Sequence, residues 1–223
     1  MTATKKSGTK KSSATPKQAR KTTAKKTTAK KATTVELPVL PFANPRAWDA
    51  WLASNHASSR GIWMKLAKKA TGVASVTYLE ALEVALAWGW IDGQKQSHDD
   101  SAWLQKFTPR GPKSLWSKIN REKALALIAA GKMHAAGRAE VERAQKDGRW
   151  DDAYDPPRTA QVPEDLARAL AANARANKAF AALDGRNRYA VLWRVQTAKR
   201  PETRARRIED LVALLARGEK LHP

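Results

Sequence analysis

The segment Trp90–Thr108, WIDGQKQSHDDSAWLQKFT, decides the fold of this chain. Two runs that contain aromatic and apolar residues are separated by HDDS, four turn-forming residues at His98–Ser101. Runs of this length joined by so short a connection predict an antiparallel β-hairpin, formed by Trp90–Ser97 and Ala102–Thr108.

The register of this hairpin decides which side chains share a face. If the four-residue turn sets the register, Ser97 lies opposite Ala102; a slip of one residue would exchange the two faces. In this register, one face carries aromatic and amide side chains, and its candidate ligand-binding residues are Trp90, Asp92, Gln94 and Trp103. Such a face can stack on and hydrogen-bond a base, a sugar or a peptide. The alternative is a partly buried aromatic face with solvated amides.

Asp92 is the one carboxylate predicted on this face. A carboxylate beside an indole can have a shifted pKa, which is typical of catalytic groups. The alternative is a structural Asp held by hydrogen bonds. The sequence contains no glycine-rich phosphate loop, no G-x-S-x-G and no H-E-x-x-H motif. We therefore expect a non-enzymatic protein and keep an enzyme of unknown reaction at the hairpin face as a hypothesis.

Patterns before the hairpin predict one more strand and two helices. Apolar and other residues alternate along Gly61–Lys68, as in a strand. Asn44 and Pro45 suit the N-cap and first turn of a helix, and Tyr78–Trp88 forms a second helix that ends at Gly89. We expect an α+β fold: a small antiparallel sheet of about three strands covered by helices, followed by a mainly helical C-terminal region.

After the hairpin, Phe107–Asn120 is a loop with Pro and Gly that enters another helix. Cationic side chains surround an indole in this loop, and its candidate ligand-binding residues are Arg110, Lys113 and Trp116. A linker is predicted at Trp150–Glu164, which holds three Pro residues. We expect a tail at 1–34, an α+β domain with the hairpin at 35–150, and a helical region at 151–223 that packs on this domain.

The most basic folded segment is Asp184–Ile208, which carries eight Arg or Lys and one Glu between its acidic N-cap and its last residue. A helix is predicted over about 186–198, with Tyr189 and Trp193 in the core, and a second helix begins at Pro201. The candidate anion-binding residues of this segment are Arg186, Arg188, Lys199, Arg204 and Arg207. The alternative is that these side chains form ion pairs on a helix surface.

The first 34 residues form a tail that contains eleven Lys or Arg and no acid, out of a formal net charge of +21. The tail has no Val, Ile, Leu or aromatic residue, which predicts disorder. Lysines that neutralise phosphates give sequence-independent, salt-sensitive binding. The tail residues assigned to nucleic acid or another polyanion are Lys5, Lys6, Lys10, Lys11, Lys17, Arg20, Lys21, Lys25, Lys26, Lys30 and Lys31. A solubilising extension or contact with a membrane surface is the alternative.

Composition also bounds the compartment and the cofactors. The chain has no Cys, and its four His lack the spacing of metal ligands, so we expect no cofactor and no metal site. No apolar run is long enough to cross a bilayer. The basic N-terminus has no apolar segment after it, as a secretory signal would, and we expect a cytoplasmic location.

Several segments together resemble the YdeI/OmpD-associated, or bacteriocin-protection, family. The resemblance covers about 37–222 and rests on GWIDGQ (Gly89–Gln94), FTPRGPKSLWSKIN (Phe107–Asn120), AAGKMHAAG (Ala129–Gly137), DGRWDDAYD (Asp147–Asp155) and RYAVLWRVQTAKRPETRARRI (Arg188–Ile208). It implies a role in surviving cationic antimicrobial peptides or related envelope stress, with no assigned reaction. Members are sometimes predicted to be periplasmic, which differs from the location expected here.

The leading hypothesis is a non-enzymatic stress-protection or anion-binding protein, and the alternative is a nucleic-acid-associated protein that uses the tail. For the first, we predict that the C-terminal arginines and the hairpin border one shared cleft for a negatively charged ligand.

Overall fold

Four strands form a single mixed sheet in the order β1-β2-β4-β3. They are β1 (Val39–Pro41), β2 (Ile62–Ala67), β3 (Trp90–Ser97) and β4 (Ala102–Pro109). The protein is seen here as a computed structural model that describes residues 36–223. The expectations for the tail, including its disorder and its nucleic-acid contacts, lie outside these residues.

The predicted α+β class is confirmed, but the expected sheet of about three antiparallel strands is wrong. The additional strand is β1, which pairs with β2 in parallel. It spans only three residues and ends in Pro41, so it has no alternating pattern and suits only the edge of a sheet.

The hairpin register agrees with the prediction at one end and differs at the other. Trp90 pairs with Pro109 and Asp92 with Phe107, as the predicted register requires, but Ser97 pairs with Trp103 instead of Ala102. The register shifts at a bulge between Asp92 and Lys95. The buried side-chain amide of Gln105 donates to the carbonyl oxygen of Gly93 at 2.9 Å. This amide therefore holds the bulge in place.

Eight α-helices surround or follow the sheet within residues 36–223. In chain order they are α1 (Pro45–Asn55), α2 (Tyr78–Ala87), α3 (Lys118–Ala129), α4 (Ala135–Lys146), α5 (Glu164–Ala171), α6 (Ala174–Ala181), α7 (Gly185–Gln196) and α8 (Pro201–Ala216). A short 3-10 helix covers Lys69–Thr71. None of these helices is both long and apolar enough to span a bilayer.

Three groups of buried residues form the core. The first joins α1 and α2 to the sheet around Trp48, Trp90 and Phe107. The second packs α2 against α3 and α4 around Trp116, and the third lies among α5 to α8. Glu36–Pro223 form one compact unit, and the predicted division at 150–151 stays a prediction.

The start of α7 is fixed by its N-cap, as predicted. The Asp184 side chain accepts a hydrogen bond from the backbone N–H of Asn187 at 2.8 Å. The buried face of α7 carries Val191, Leu192 and Val195. The opposite side of α7 therefore faces away from the core, and this orientation sets up the site described next.

Candidate functional site: a basic, aromatic cleft beside α7

A cleft of about 640 Å³ runs along α7, and we call it the α7 cleft. Its wall combines cationic and aromatic side chains, with no Asp or Glu among the lining residues that the structure describes. The charged and aromatic lining residues are Tyr154, Arg186, Tyr189, Trp193, Arg194 and His222.

The sequence builds this wall through helical spacing. Arg186, Tyr189, Trp193 and Arg194 stand at positions i, i+3, i+7 and i+8, which lie on one side of a helix. Both arginines are exposed, and 38% of the Trp193 surface is accessible. The expectation that Trp193 lies in the core is therefore wrong, because the neighbouring Leu192 occupies the buried face instead.

The floor of the cleft is held by contacts between α7 and the segment at 154–155. The rings of Tyr154 and Trp193 meet edge to face, with their centroids 6.3 Å apart. The Tyr189 hydroxyl donates to the carbonyl oxygen of Asp155 at 3.0 Å, and Gln196 accepts the Asp155 N–H at 2.9 Å. Burial, together with neighbouring negative groups, raises the pKa of Tyr189 to about 12. Tyr189 is therefore a neutral donor at physiological pH.

The two arginines of the cleft have no carboxylate partner within 4.0 Å among residues 36–223. The other predicted anion-binding residues of this segment contact the protein itself. Lys199 pairs with Asp152 at 2.9 Å, and the Arg188 guanidinium lies 4.5 Å from the centroid of the Phe180 ring.

The remaining two predicted residues of this segment also have internal partners. Arg204 donates to both carboxylate oxygens of Asp165, at 2.5 and 2.9 Å, and to the Val195 carbonyl oxygen at 2.7 Å. Arg207 donates to the carbonyl oxygen of Arg194 at 2.7 Å. Among the five predicted residues, only Arg186 lines the α7 cleft.

The predicted hairpin residues occupy several environments. Trp90 is buried, and its indole N–H donates to the His56 carbonyl oxygen at 3.2 Å. Asp92 accepts a hydrogen bond from the Tyr78 hydroxyl at 2.9 Å. Gln94 lies in the bulge and is exposed, and Trp103, the second residue of β4, is half-buried.

The predicted loop residues form a mainly internal cluster. The Arg110 guanidinium stacks 3.5 Å from the centroid of the Trp116 ring, and both side chains are buried, whereas Lys113 is exposed. Burial lowers the pKa of Arg110 to about 10. Its Nη1 donates to the Leu115 carbonyl oxygen, but Nε and Nη2 have no hydrogen-bond partner within residues 36–223.

Tyr154 is the neighbour that the hairpin and the α7 cleft have in common. Tyr154 lines the cleft. Burial raises the pKa of Tyr154, and the nearby carboxylate of Asp92 raises it further. The same carboxylate and burial raise the pKa of Tyr78. The α7 cleft and four other cavities of residues 36–223 are each lined by at most one of the two predicted groups, and the predicted shared cleft is not among them.

Sequence reasoning missed Arg194 and Tyr154 and misplaced Trp193. The spacing of Arg186 and Arg194 was a usable signal, because eight residues return to nearly the same side of a helix. Tyr154 carried no such signal, since it lies outside α7 and meets it only through tertiary contacts such as the one with Trp193. Residues 36–223 contain no group of three or more His, Asp or Glu that could hold a metal ion.

The fold and the cleft define a small α+β protein with a basic, aromatic-lined cavity on its C-terminal helices. Residues 159–218 match the family described as Bacteriocin-protection, YdeI or OmpD-Associated, which confirms the resemblance over this segment. The match therefore lies in the C-terminal region of this chain. Residues 40–140 match a domain of unknown function, DUF8412. Comparison with curated proteins and with solved structures gives no match.

Proposed function

We propose that this chain is a non-enzymatic binding protein that holds a small acidic ligand in the α7 cleft. The observation that carries the proposal is the pair of exposed arginines, Arg186 and Arg194, without carboxylate partners in the described residues and beside three aromatic rings. An arginine at a helix surface usually pairs with a nearby carboxylate or lies on an open surface surrounded by solvent. Here both arginines border a concave surface instead.

The chemistry of the cleft favours a planar or compact anion. Guanidinium groups donate two parallel hydrogen bonds to a carboxylate or a phosphate, and such charge-assisted bonds are the stronger ones in proteins. The exposed Trp193 ring offers an apolar surface for the body of the ligand. A volume of about 640 Å³ lies within the usual range of small-molecule sites.

The family description names bacteriocin protection, and the matched segment includes the α7 residues of the cleft. A cationic peptide would be repelled by this cleft, because like charges at close range destabilise a complex. We therefore propose that any contribution to stress protection runs through an acidic ligand of the cleft, and that the cleft does not capture the cationic peptide itself.

Isothermal titration of the full chain with citrate, inorganic phosphate and 4-hydroxybenzoate tests this proposal. We expect at least one probe to bind the native chain and to lose roughly tenfold or more in affinity when Arg186 and Arg194 are both changed to Gln. Arg175→Gln with Arg206→Gln is the matched control, since these two exposed arginines of α6 and α8 lie outside the cleft. Equal affinity of the double variant and the control would remove the cleft from the proposal.

Association with nucleic acid through the tail is a second proposal, supported by the eleven basic residues of the first 34. Titration of duplex DNA at several salt concentrations, with and without residues 1–34, tests it. Loss of the tail should weaken binding and flatten its salt dependence. An unchanged affinity and slope would end this proposal. The hypothesis of an enzyme at the hairpin face stays a prediction.

A further inference from the structure

A second basic cavity lies far along the chain from α7, between the hairpin and the segment that follows β2. It has a volume of about 1000 Å³, and we call it the hairpin groove. Its lining residues include three lysines, two aromatic rings and an apolar side chain: Lys68, Lys69, Lys95, Tyr78, Trp103 and Val73.

The hairpin groove is positively charged, and carboxylates neutralise little of this charge. No Asp or Glu is among the lining residues that the structure describes. The nearby carboxylate of Asp99 is held by Lys65 at 3.0 Å and by the Ser101 hydroxyl at 2.7 Å. Lys69 and Lys95 are exposed and form no ion pair within residues 36–223. Two ammonium groups without a carboxylate partner among these residues therefore line the same concave surface.

The aromatic part of the hairpin groove is Trp103, whose ring lies 6.2 Å from that of Tyr78. The Lys95 ammonium lies 4.3 Å from the centroid of the Trp103 ring. A cation over a partly exposed ring such as that of Trp103 is only modestly held. When a phosphate attracts Lys95, the indole face becomes available to a base. Val73, with 63% of its surface accessible, adds an apolar contact at the same groove.

We propose that the hairpin groove binds single-stranded nucleic acid, with Lys69 and Lys95 against phosphates and a base stacked on Trp103. The Lys68 ammonium donates to the carbonyl oxygen of Asp99 at 3.0 Å and adds positive charge to the rim of the groove. Lysines spaced along a groove can contact successive phosphates of a nucleic-acid strand, whereas a small anion needs its donors to converge on one point. Stacking on an indole requires an unpaired base, which a duplex does not offer. This activity belongs to a different cavity and a different ligand class from the α7 cleft, and it does not depend on the tail.

Fluorescence anisotropy of the full chain with a labelled oligothymidylate of about eight nucleotides tests the proposal. The test variant is Lys69→Gln with Lys95→Gln, both on exposed side chains. The matched control is Lys146→Gln with Lys178→Gln, which removes the same charge from the exposed surfaces of α4 and α6. The tail is present in every sample, so its contribution cancels in the comparison.

We expect the test variant to lose roughly tenfold in affinity. The slope of log Kd against log salt concentration should fall by about 1.4, the value for two phosphate contacts on a single strand. The control pair should change the affinity by less than about threefold, because its charges act only at long range. Trp103→Ala, accepted only if its thermal melting transition remains cooperative, should weaken binding without changing the slope.

Three outcomes would overturn the proposal. One is an equal loss of affinity in the test and control pairs, which would mean that binding follows overall charge. Another is a duplex of the same length that binds as tightly and loses as much in the test variant. The last is cosedimentation with phosphatidylserine vesicles that requires Lys69 and Lys95, together with oligonucleotide binding that does not require them. This result would identify a lipid surface as the partner.

Discussion

Arg204 on α8 and Arg194 on α7 lie ten residues apart in one basic segment, yet the fold gives them opposite surroundings. Arg204 is partly buried, donates to both oxygens of Asp165 and reaches the Val195 carbonyl oxygen. Arg194 is exposed, has no carboxylate partner among residues 36–223 and lines the α7 cleft. Both residues belong to the same basic segment of the sequence, and this membership alone does not distinguish their surroundings in the fold.

The difference comes from what the rest of the chain brings to each side chain. Asp165, at the first turn of α5, is 39 residues before Arg204 and meets it because α5 packs on α8. Tyr154 also comes from outside the helix and lines the same cleft as Arg194, and it brings a ring in place of a charge. We therefore assign the α8 arginine to stability and propose binding for the α7 arginine. The predictions below test this division.

The largest effect is expected for Arg204→Met. The change removes a two-point ion pair and a hydrogen bond to a backbone oxygen, and hydrogen bonds to charged groups contribute more than neutral ones. We expect the free energy of unfolding to fall by about 1.5 kcal/mol, toward the lower end for such groups because both side chains are partly solvated.

Urea denaturation of the single variants Arg204→Met and Asp165→Leu and of the double variant measures the coupling between the two side chains. The double variant should be less destabilised than the sum of the single changes. A sum equal to the double variant would show that the two residues stabilise the protein independently, which contradicts the paired geometry.

The next effect is the pH dependence of the same pair. The Arg204 guanidinium lowers the pKa of the Asp165 carboxyl below its ordinary value. The pair's contribution is therefore present above the unfolded-state pKa of about 3.9 and is lost as the pH falls through the lower folded-state value. We expect native protein to exceed Asp165→Asn in stability by up to about 1 kcal/mol near pH 7, and the gap to close as the pH falls below about 3.9 and through the lower folded-state pKa. A gap that is constant across this range would exclude the ion pair as its cause.

An effect of similar size is expected at the start of α7. Asp184→Ala removes the N-cap and also the carboxylate that accepts from the Asn187 side chain at 2.9 Å. Asn187 in turn accepts the backbone N–H of His222, a residue of the cleft, at 2.9 Å. We expect a loss of about 1 kcal/mol in the free energy of unfolding, the usual cost of a cap. Asp184→Ser should recover most of it, and failure of Ser to do so would show that the Asn187 contact matters more than the cap.

Much of the fold could be predicted because it depends on local patterns. Asn44, Asp184 and Pro201 begin their helices where sequence rules place them, and β2 follows its alternation. The parts that could not be predicted depend on distant residues. The side-chain amide of Gln105, twelve residues after Gly93, holds the bulge in β3. The bulge shifts the register only in the half of the hairpin next to the turn.

The candidate site shows the same division between local and distant information. The spacing of Arg186 and Arg194 could be recognised in the sequence as one side of a helix. Whether that side was buried could not be recognised, because Tyr189, Leu192 and Trp193 are all plausible core residues. Helix α7 packs on the core through Leu192, and this orientation of the helix about its axis leaves Trp193 exposed. A residue that was predicted in the core therefore lines the cleft.

The smallest effect is expected for Arg194→Met without any added ligand. The exposed guanidinium has no carboxylate partner among residues 36–223, and Met keeps an unbranched stem with good helix propensity. The hydrogen bond from Arg207 goes to the backbone oxygen of residue 194 and survives the change. We therefore expect the free energy of unfolding to change by less than about 0.5 kcal/mol, which urea denaturation beside Arg204→Met can resolve. If both variants lost the same stability, Arg194 would be a structural residue, and the α7 cleft would lose the free donor on which its binding role depends.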